Sequence, residues 1–170
     1  MENKPIISIN IDRRIAAIDA LTSVIKRIQP FAILIQDLPL TCRDEQLMER
    51  LHRLTNQKYK LFDNFIEQRR KFKGILTKHI GTANATLIST KISAEYIEMD
   101  TLVRTNSTAI VGVRVKLKNN KPFQVFNVYI KPTASYSETL NLLESLKTTA
   151  KAIGNSRTII MGDFNAVSPE

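Results

Sequence analysis

The beginning of the chain changes from a strand pattern to a helix pattern and back. Residues 6–11 alternate and are rich in β-branched side chains, which predicts a strand. From residue 13 to residue 28 apolar side chains recur every three or four positions, which predicts a helix that Pro30 ends. The apolar run 31–35 has the length of a strand covered on both faces. These segments predict a βαβ unit with parallel strands.

A second helix and a series of short strands are predicted for the middle of the chain. Thr41 is a candidate N-cap for this helix, whose apolar side is formed by Leu47, Met48, Leu51 and Leu54. Extended segments are predicted at residues 59–62, 74–78, 86–89, 96–104, 109–117 and 123–130. Because Asn119-Asn120 marks a turn, we expect the last two segments to form an antiparallel hairpin.

The end of the chain predicts one more helix and one more strand. Ser135 and Glu138 fit a capping box at the start of the helix, and Gly154 closes it. Residues 158–161 are the last predicted strand. The whole pattern is a mixed α/β (α+β) fold with a βαβ unit at each end and an antiparallel meander between them.

Composition narrows the class of protein. The chain has 170 residues, 43% hydrophobic and 24% charged, with 5 Gly and 6 Pro, which favours one globular domain over residues 1–170. The single cysteine, Cys42, excludes an internal disulfide framework and a thiolate zinc site. Without a signal-peptide core or an apolar run near the length of a membrane span, we expect an intracellular protein with no membrane partner.

The charge balance points to a polyanionic partner. Lys and Arg number 25 against 16 Asp and Glu, for a net charge of +9. Cations that neutralise phosphates gain from counterion release, so nucleic acid is the favoured partner. The densest basic segment contains Arg69, Arg70, Lys71 and Lys73. It is either a solvated face or loop, or a phosphate-contacting patch, and a nuclear-import signal would place the protein in the nucleus.

Polar residues gather after three of the predicted strands. Because ligands of open α/β sheets lie at the carboxyl ends of strands, and residues i and i+2 of an extended segment point the same way, we expect one polar rim. Carboxylate and carboxamide oxygens suit Mg²⁺ or Mn²⁺ better than zinc. Each residue alone is typical of a turn or a helix cap, so the argument rests on the joint placement of Asn10, Asp12, Gln36, Asp37, Asp163 and Asn165.

The sequence gives little support for a nucleotide hydrolase or for a catalytic serine, cysteine or histidine. A nucleotide hydrolase would need the phosphate-cradling loop G-x-x-x-x-G-K-[ST], and the glycines never fall at that spacing. No G-x-S-x-G string supports a serine nucleophile, and Cys42 lies in a predicted cap region. His52 and His79 fall in segments where histidine is more often structural or solvated than catalytic.

Four strings carry a family resemblance. They are Ile9-Asn10-Ile11-Asp12-Arg13 with Ala16-Ala17, Ile33-Leu34-Ile35-Gln36-Asp37, Phe126-Asn127-Val128-Tyr129-Ile130-Lys131-Pro132, and Ile160-Met161-Gly162-Asp163-Phe164-Asn165-Ala166. In order and spacing the chain resembles the endonuclease/exonuclease/phosphatase superfamily, especially the endonuclease domain of non-LTR (LINE-type) retrotransposons. The resemblance implies an incomplete four-layer αββα sandwich of the deoxyribonuclease-I-like type.

The resemblance also implies a role for each matching residue. Asn10 and Asp37 match residues that bind or position the metal, Mg²⁺ or Mn²⁺, and Asp12 matches an acid of some family branches. Tyr129 and Asn165 match groups that contact the phosphate, and Asp163 matches the group that orients or deprotonates the attacking water. Arg13, within the first string, is a further expected contact to nucleic acid.

Two departures from the family pattern affect the expected activity. Position 37 is Asp where the family usually has Glu, so its carboxylate is one methylene shorter. Family domains continue beyond the last string to a late metal-binding acid and an Asp-His pair, whereas this sequence stops at Glu170. We therefore expect weak or absent catalysis and marginal stability from an incomplete second sheet.

Three functional hypotheses follow. The first is the metal-dependent DNA endonuclease of a non-LTR retrotransposon, with DNA as substrate and a downstream reverse transcriptase in the parent polyprotein. The second is a non-catalytic nucleic-acid-binding remnant of such an element. The third keeps the superfamily but changes the substrate to abasic-site DNA or a phosphorylated small molecule.

Overall fold

A computed structural model describes residues 4–39, 44–56, 58–64, 82–98, 108–117, 121–154 and 157–165. The described residues form eight strands and three helices. In chain order these are β1 (Ile6–Asn10), α1 (Ala16–Ile28), β2 (Ala32–Pro39), α2 (Asp44–Thr55), β3 (Tyr59–Asp63), β4 (Thr82–Ser89), β5 (Ser93–Ile97), β6 (Thr108–Lys116), β7 (Phe123–Ile130), α3 (Tyr136–Ala152) and β8 (Arg157–Asp163).

The strands form two four-stranded sheets, each with one parallel pair. The first sheet has the order β1-β2-β4-β3, and the second has the order β5-β6-β7-β8. β1 pairs with β2 in parallel, and β7 pairs with β8 in parallel, so a βαβ unit lies at each end of the chain as the sequence predicts. β6 and β7 form the expected antiparallel hairpin.

Three apolar clusters hold four layers together. α1 and α2 cover the outer face of the first sheet around Ile33 and Leu87. The two sheets pack on each other around Leu34, Ile88 and Val113. α3 covers the outer face of the second sheet, where Leu142 and Leu146 join a further cluster. The four-layer αββα sandwich expected from the sequence is confirmed.

Several element boundaries differ from the sequence predictions. α1 begins at Ala16 instead of residue 13, because Asp12 and Arg13 have left-handed φ angles of 47° and 57°. β2 continues through residue 39, beyond the apolar run that predicted it. β4 begins at Thr82, where small and polar residues lack the apolar signal of a buried strand, and β5 lies at Ser93–Ile97.

Some predictions concern residues outside the described ranges. These are the strand at residues 74–78, the N-cap Thr41, the turn Asn119-Asn120, Cys42, His79, and the basic residues Arg69, Arg70, Lys71 and Lys73. In the described ranges, helices combining the length and apolar character of a membrane crossing are absent.

Candidate active site

The candidate site lies where the carboxyl ends of β1 and β8 meet. These are edge strands of different sheets, and they lie side by side in the sandwich. Asn10 Nδ2 donates a hydrogen bond to Asp163 Oδ2 at 2.5 Å, which joins the two strand ends. The structure therefore brings together two predicted site residues that are 153 positions apart in sequence.

Both strand ends leave the extended conformation through the same local turn. The backbone N–H of Asp12 donates to Asn10 Oδ1 at 2.7 Å, and that of Asn165 donates to Asp163 Oδ1 at 3.1 Å. Asp12 and Asn165 have φ angles of 47° and 42°, so the extended i, i+2 geometry expected from the sequence is wrong here. Asn and Asp favour such turns because their side chains accept from the backbone two residues on.

The turns direct Asp12 and Asn165 differently. The Asp12 side chain is 72% exposed and pairs with Arg14, so it lies at the rim of the site. Asn165 Nδ2 donates to the carbonyl of Ile130 at 2.8 Å, which attaches the residue to the end of β7. Of these two candidates, Asn165 is thus the one built into the sheet end.

A β-bulge positions Asp37. The register of β2 against β4 shifts between Ile35 and Leu38, so Gln36 and Asp37 together lie opposite the single residue Asn84. Asp37 takes a φ of 55°, and its side chain is buried. Its Oδ1 accepts from Arg13 Nε at 3.3 Å, and its carbonyl accepts from the Arg13 backbone N–H at 3.0 Å. The Asp37 carboxylate therefore forms an ion pair with Arg13.

A network of buried amides links this bulge to the second sheet. Gln36 Nε2 donates to Asn127 Oδ1 at 2.7 Å. Asn127 Nδ2 in turn donates to the carbonyls of Ile35 and Ala85 in the first sheet, at 3.1 and 2.9 Å. Asn84 Nδ2 donates to the carbonyl of Asn127 at 3.1 Å. The network crosses the interior directly beneath the site.

Tyr129 is buried among the charged groups of the site. It lies beside Asp163 in the β7/β8 register and is 5% exposed. Burial is the main cause that raises the pKa of Tyr129 to about 12, the charge of Asp37 adds to it, and Arg13 opposes it. At neutral pH the phenol keeps its proton and can donate a hydrogen bond.

Lys131 adds a second cation to the site. Burial is the main cause that lowers its pKa, and the positive charge of Arg13 acts in the same direction, whereas Asp37 acts against it. Lys131 directly follows the last residue of β7, Ile130, whose carbonyl accepts from Asn165, so it lies at the same strand ends, which form the candidate cleft. Together Arg13 and Lys131 place two positive charges near the Asp37 carboxylate.

Comparisons with known proteins give structural matches only. Models of protein families and curated proteins give no match to the sequence. The endonuclease domain of TRAS1, a telomere-specific non-LTR retrotransposon, matches with a TM-score of 0.62 at 17% identity, over 96% of this chain and 59% of that one. TDP2 of D. rerio, complexed with a single-strand DNA product, matches with a TM-score of 0.63 at 13% identity, over 98% of this chain and 63% of that one.

A third protein has a similar fold. The human Nocturnin catalytic domain with bound sulfate anion has a TM-score of 0.62 at 14% identity, over 100% of this chain and 67% of that one. All three belong to the endonuclease/exonuclease/phosphatase superfamily. The chain has the fold of this superfamily. The resemblance inferred from the four strings is thus confirmed at the level of the fold.

Within this superfamily fold, most sequence candidates share one cleft. These candidates are Asn10, Asp37, Tyr129, Asp163 and Asn165. Arg13 lies with them, since it contacts Asp37. Among the described residues, groups of three or more His, Cys, Asp or Glu that could hold a metal ion are absent. The cleft thus contains two separate carboxylates, those of Asp37 and Asp163, together with amides, a phenol and two cations.

Sequence reasoning missed three parts of this site. Asn127 and Lys131 stood in a recognised string without an assigned role, although an asparagine within an apolar strand is itself a signal of a buried hydrogen bond. Asn84 was overlooked because its strand was predicted to begin at residue 86. The pairing of Gln36 with Asn127 joins positions 91 apart, which no local pattern reveals.

Proposed function

We propose that this chain carries the phosphodiester-cleaving site of a metal-dependent DNA endonuclease of the non-LTR retrotransposon type, with weak nicking activity. The observation that carries the proposal is the hydrogen bond between Asn10 and Asp163, which assembles one cleft from the ends of both sheets. Tyr129 lies beside Asp163 in the β7/β8 register, and the charge of Asp37 adds to the rise in the pKa of Tyr129. In this proposal DNA is the substrate, and a reverse transcriptase downstream in the parent polyprotein uses the nick.

The donor set suits Mg²⁺ or Mn²⁺. Mg²⁺ is commonly held by one or two carboxylates, with waters and substrate phosphates completing its shell. Asp37 and Asn10 would hold the ion, since they offer a carboxylate and a carboxamide oxygen on neighbouring strands. When bound, such an ion neutralises charge that develops on the phosphate.

The remaining residues of the cleft take three roles in this proposal. Asp163 is held in one orientation by donors from Asn10 and from the Asn165 backbone, which suits a carboxylate that aligns a water or accepts its proton. Tyr129 donates its O–H to a phosphate oxygen, because its raised pKa keeps it protonated. Arg13 and Lys131 contribute positive charge toward the DNA backbone.

The same contacts explain why we expect slow turnover. The Asp37 carboxylate already pairs with Arg13, so a metal ion must compete with an internal cation. A site that loses part of its productive geometry loses much of its rate. Weak nicking is therefore the expected behaviour of this cleft.

Nicking of supercoiled plasmid tests the proposal. The purified chain is assayed with Mg²⁺ and with a chelator, beside the isosteric variant Asp163→Asn and the control Asp19→Asn. Asp19 is a matched control because it is a largely exposed carboxylate on α1 that pairs with Arg50. We expect slow Mg²⁺-dependent nicking that Asp163→Asn reduces at least about 100-fold and Asp19→Asn leaves unchanged.

The outcomes separate the parts of the proposal. Fast nicking would contradict the expected low activity. A folded chain whose nicking does not exceed that of Asp163→Asn would contradict the proposal that this chain is catalytic. Circular dichroism of each variant confirms that folded proteins are compared. Nicking that persists in the chelator would remove the metal from the mechanism.

A second candidate function is non-catalytic binding of nucleic acid. The contact between Arg13 and Asp37 favours it, because an arginine in this place neutralises the carboxylate without any metal. This function predicts DNA binding that weakens steeply with salt, ignores Mg²⁺ and survives Asp163→Ala. Binding that requires Mg²⁺ would contradict it.

A further inference from the structure

We infer that Asn127 is a positioning residue that holds Asp37 in place through the bulge of β2. Its side-chain amide reaches from the second sheet into the first and donates to both strands that pair at the bulge, β2 and β4. The role assigned to Asp37 rests on the proposed function, whereas the effect of Asn127 on the bulge does not.

The bulge needs a partner from outside its own sheet. A bulge disrupts the ladder of backbone hydrogen bonds, and buried carbonyls must still find donors. Ile35 and Ala85 are the last matched pair before the register shift, and the carbonyls of both accept from Asn127 Nδ2. One side chain therefore serves both strands at the point where their pairing is interrupted.

Further contacts leave the Asn127 side chain little freedom. Its Oδ1 accepts from Gln36 Nε2 at 2.7 Å, so the amide also fixes a bulge residue that directly precedes Asp37. Its Nδ2 lies 3.3 Å from Thr86 Oγ1 on β4. Asn127 and Gln36 are both buried, and partners lost inside a protein are not replaced by water without cost. The orientation of Asn127 is thus coupled to the backbone at Asp37.

The coupling can be measured at a single amide. The backbone N–H of Arg13 donates to the carbonyl of Asp37 at 3.0 Å, so its hydrogen exchange reports the shape of the bulge without any metal. Binding of Mn²⁺, followed by the electron paramagnetic resonance of the free ion, reports the carboxylate. Asn127→Ala removes the bridge, and Val125→Ala is the control because Val125 is a buried neighbour on the same strand and the same inner face.

We expect Asn127→Ala to speed exchange of the Arg13 amide about tenfold and to raise the Mn²⁺ concentration at half saturation about tenfold, as losses of supporting groups around metal ligands typically do. Val125→Ala should change both less than twofold. If Asn127→Ala does not fold, Thr86→Val tests the inference instead. It removes one acceptor of the Asn127 amide and should speed exchange of the Arg13 amide two- to threefold.

Two results would overturn the inference. One is an Arg13 amide that exchanges at the wild-type rate in the folded Asn127 or Thr86 variant. The other is an equal effect of Val125→Ala, which would show only general loss of stability. If the wild-type chain binds no Mn²⁺, the metal in the proposed function is wrong, and Arg13 exchange alone decides the inference.

Discussion

The space between the two sheets has two ends that are stabilised in different ways. At one end Leu34, Ile88 and Val113 pack without a polar atom in their side chains, and the rings of Phe31 and Phe123 lie 5.5 Å apart. At the other end the inward positions of the same sheets carry polar groups, namely Asn10, Gln36, Asn84, Asn127, Tyr129 and Asp163. One pair of sheets thus supplies both a core and a site.

The difference between the ends lies in how specific their interactions are. Apolar burial scales with area and has no direction, so packing tolerates changes of side chain that keep the volume. A buried amide requires a particular partner at a particular angle, and leaving the partner unpaired costs about 1 to 3 kcal/mol per group. The polar end therefore holds its side chains in one arrangement, as the proposed catalytic function would require.

Among the substitutions at the polar end, Gly162→Ala is expected to lower the free energy of unfolding most. Gly162 has a φ of 148°, and a Cβ there would lie 1.8 Å from the carbonyl oxygen of Val128. β8 would have to move away from β7 next to Asp163, so we expect a loss of at least about 4 kcal/mol in the free energy of unfolding. Urea unfolding measures it.

Gly154→Ala is the matched control for this prediction. Gly154 also has a positive φ, 97°, but a Cβ there meets no heavy atom within 4 Å. Only the backbone strain of about 1 kcal/mol is expected at this position. Equal losses in the two variants would show that the close approach of β7 and β8 is unimportant.

Asn127→Leu tests the polar end by making it resemble the apolar one. The side chain keeps its approximate volume, but the carbonyls of Ile35 and Ala85 lose the Asn127 donor. Gln36 Nε2 loses its acceptor on Asn127 and keeps those on Ser8 and Leu34. We expect a loss of about 3 kcal/mol in urea unfolding, against about 2 kcal/mol for the cavity-forming Val113→Ala. An Asn127→Leu chain as stable as the wild type would contradict the difference between the ends.

The pH dependence of stability sharpens the comparison at Tyr129. Its pKa is raised from 10.0 to about 12 in the folded chain, chiefly by burial. The resulting stabilisation is fully present below pH 10 and is lost as the pH rises through 12, because the unfolded chain releases its proton first. Relative to Tyr129→Phe, the wild type should lose about 1.4 kcal/mol between pH 9 and pH 11. If the free energy of unfolding changed with pH in the same way in both proteins, the raised pKa of Tyr129 would be wrong.

The apolar end and most of the elements could be predicted from the sequence, whereas the construction of the polar end could not. Periodicity places Leu34 and Val113 in buried strands, and the capping box of Ser135 and Glu138 marks the start of α3. The cleft residues were found through their strings at strand ends. The bulge at Asp37 and its support by Asn127 depend on contacts between distant strands, and local patterns carry no signal of that pairing.

The smallest effect is expected at the apolar end, from Phe123→Leu. The leucine keeps the position apolar beside Phe31, so only the ring contact and some volume are lost, about 1 kcal/mol in urea unfolding. Because hydrogen bonds of the cleft do not pass through this residue, plasmid nicking and Arg13 amide exchange should stay at wild-type values. A Phe123→Leu chain that kept its stability but lost nicking would show that the two ends are coupled, and the division between core and site would then be wrong.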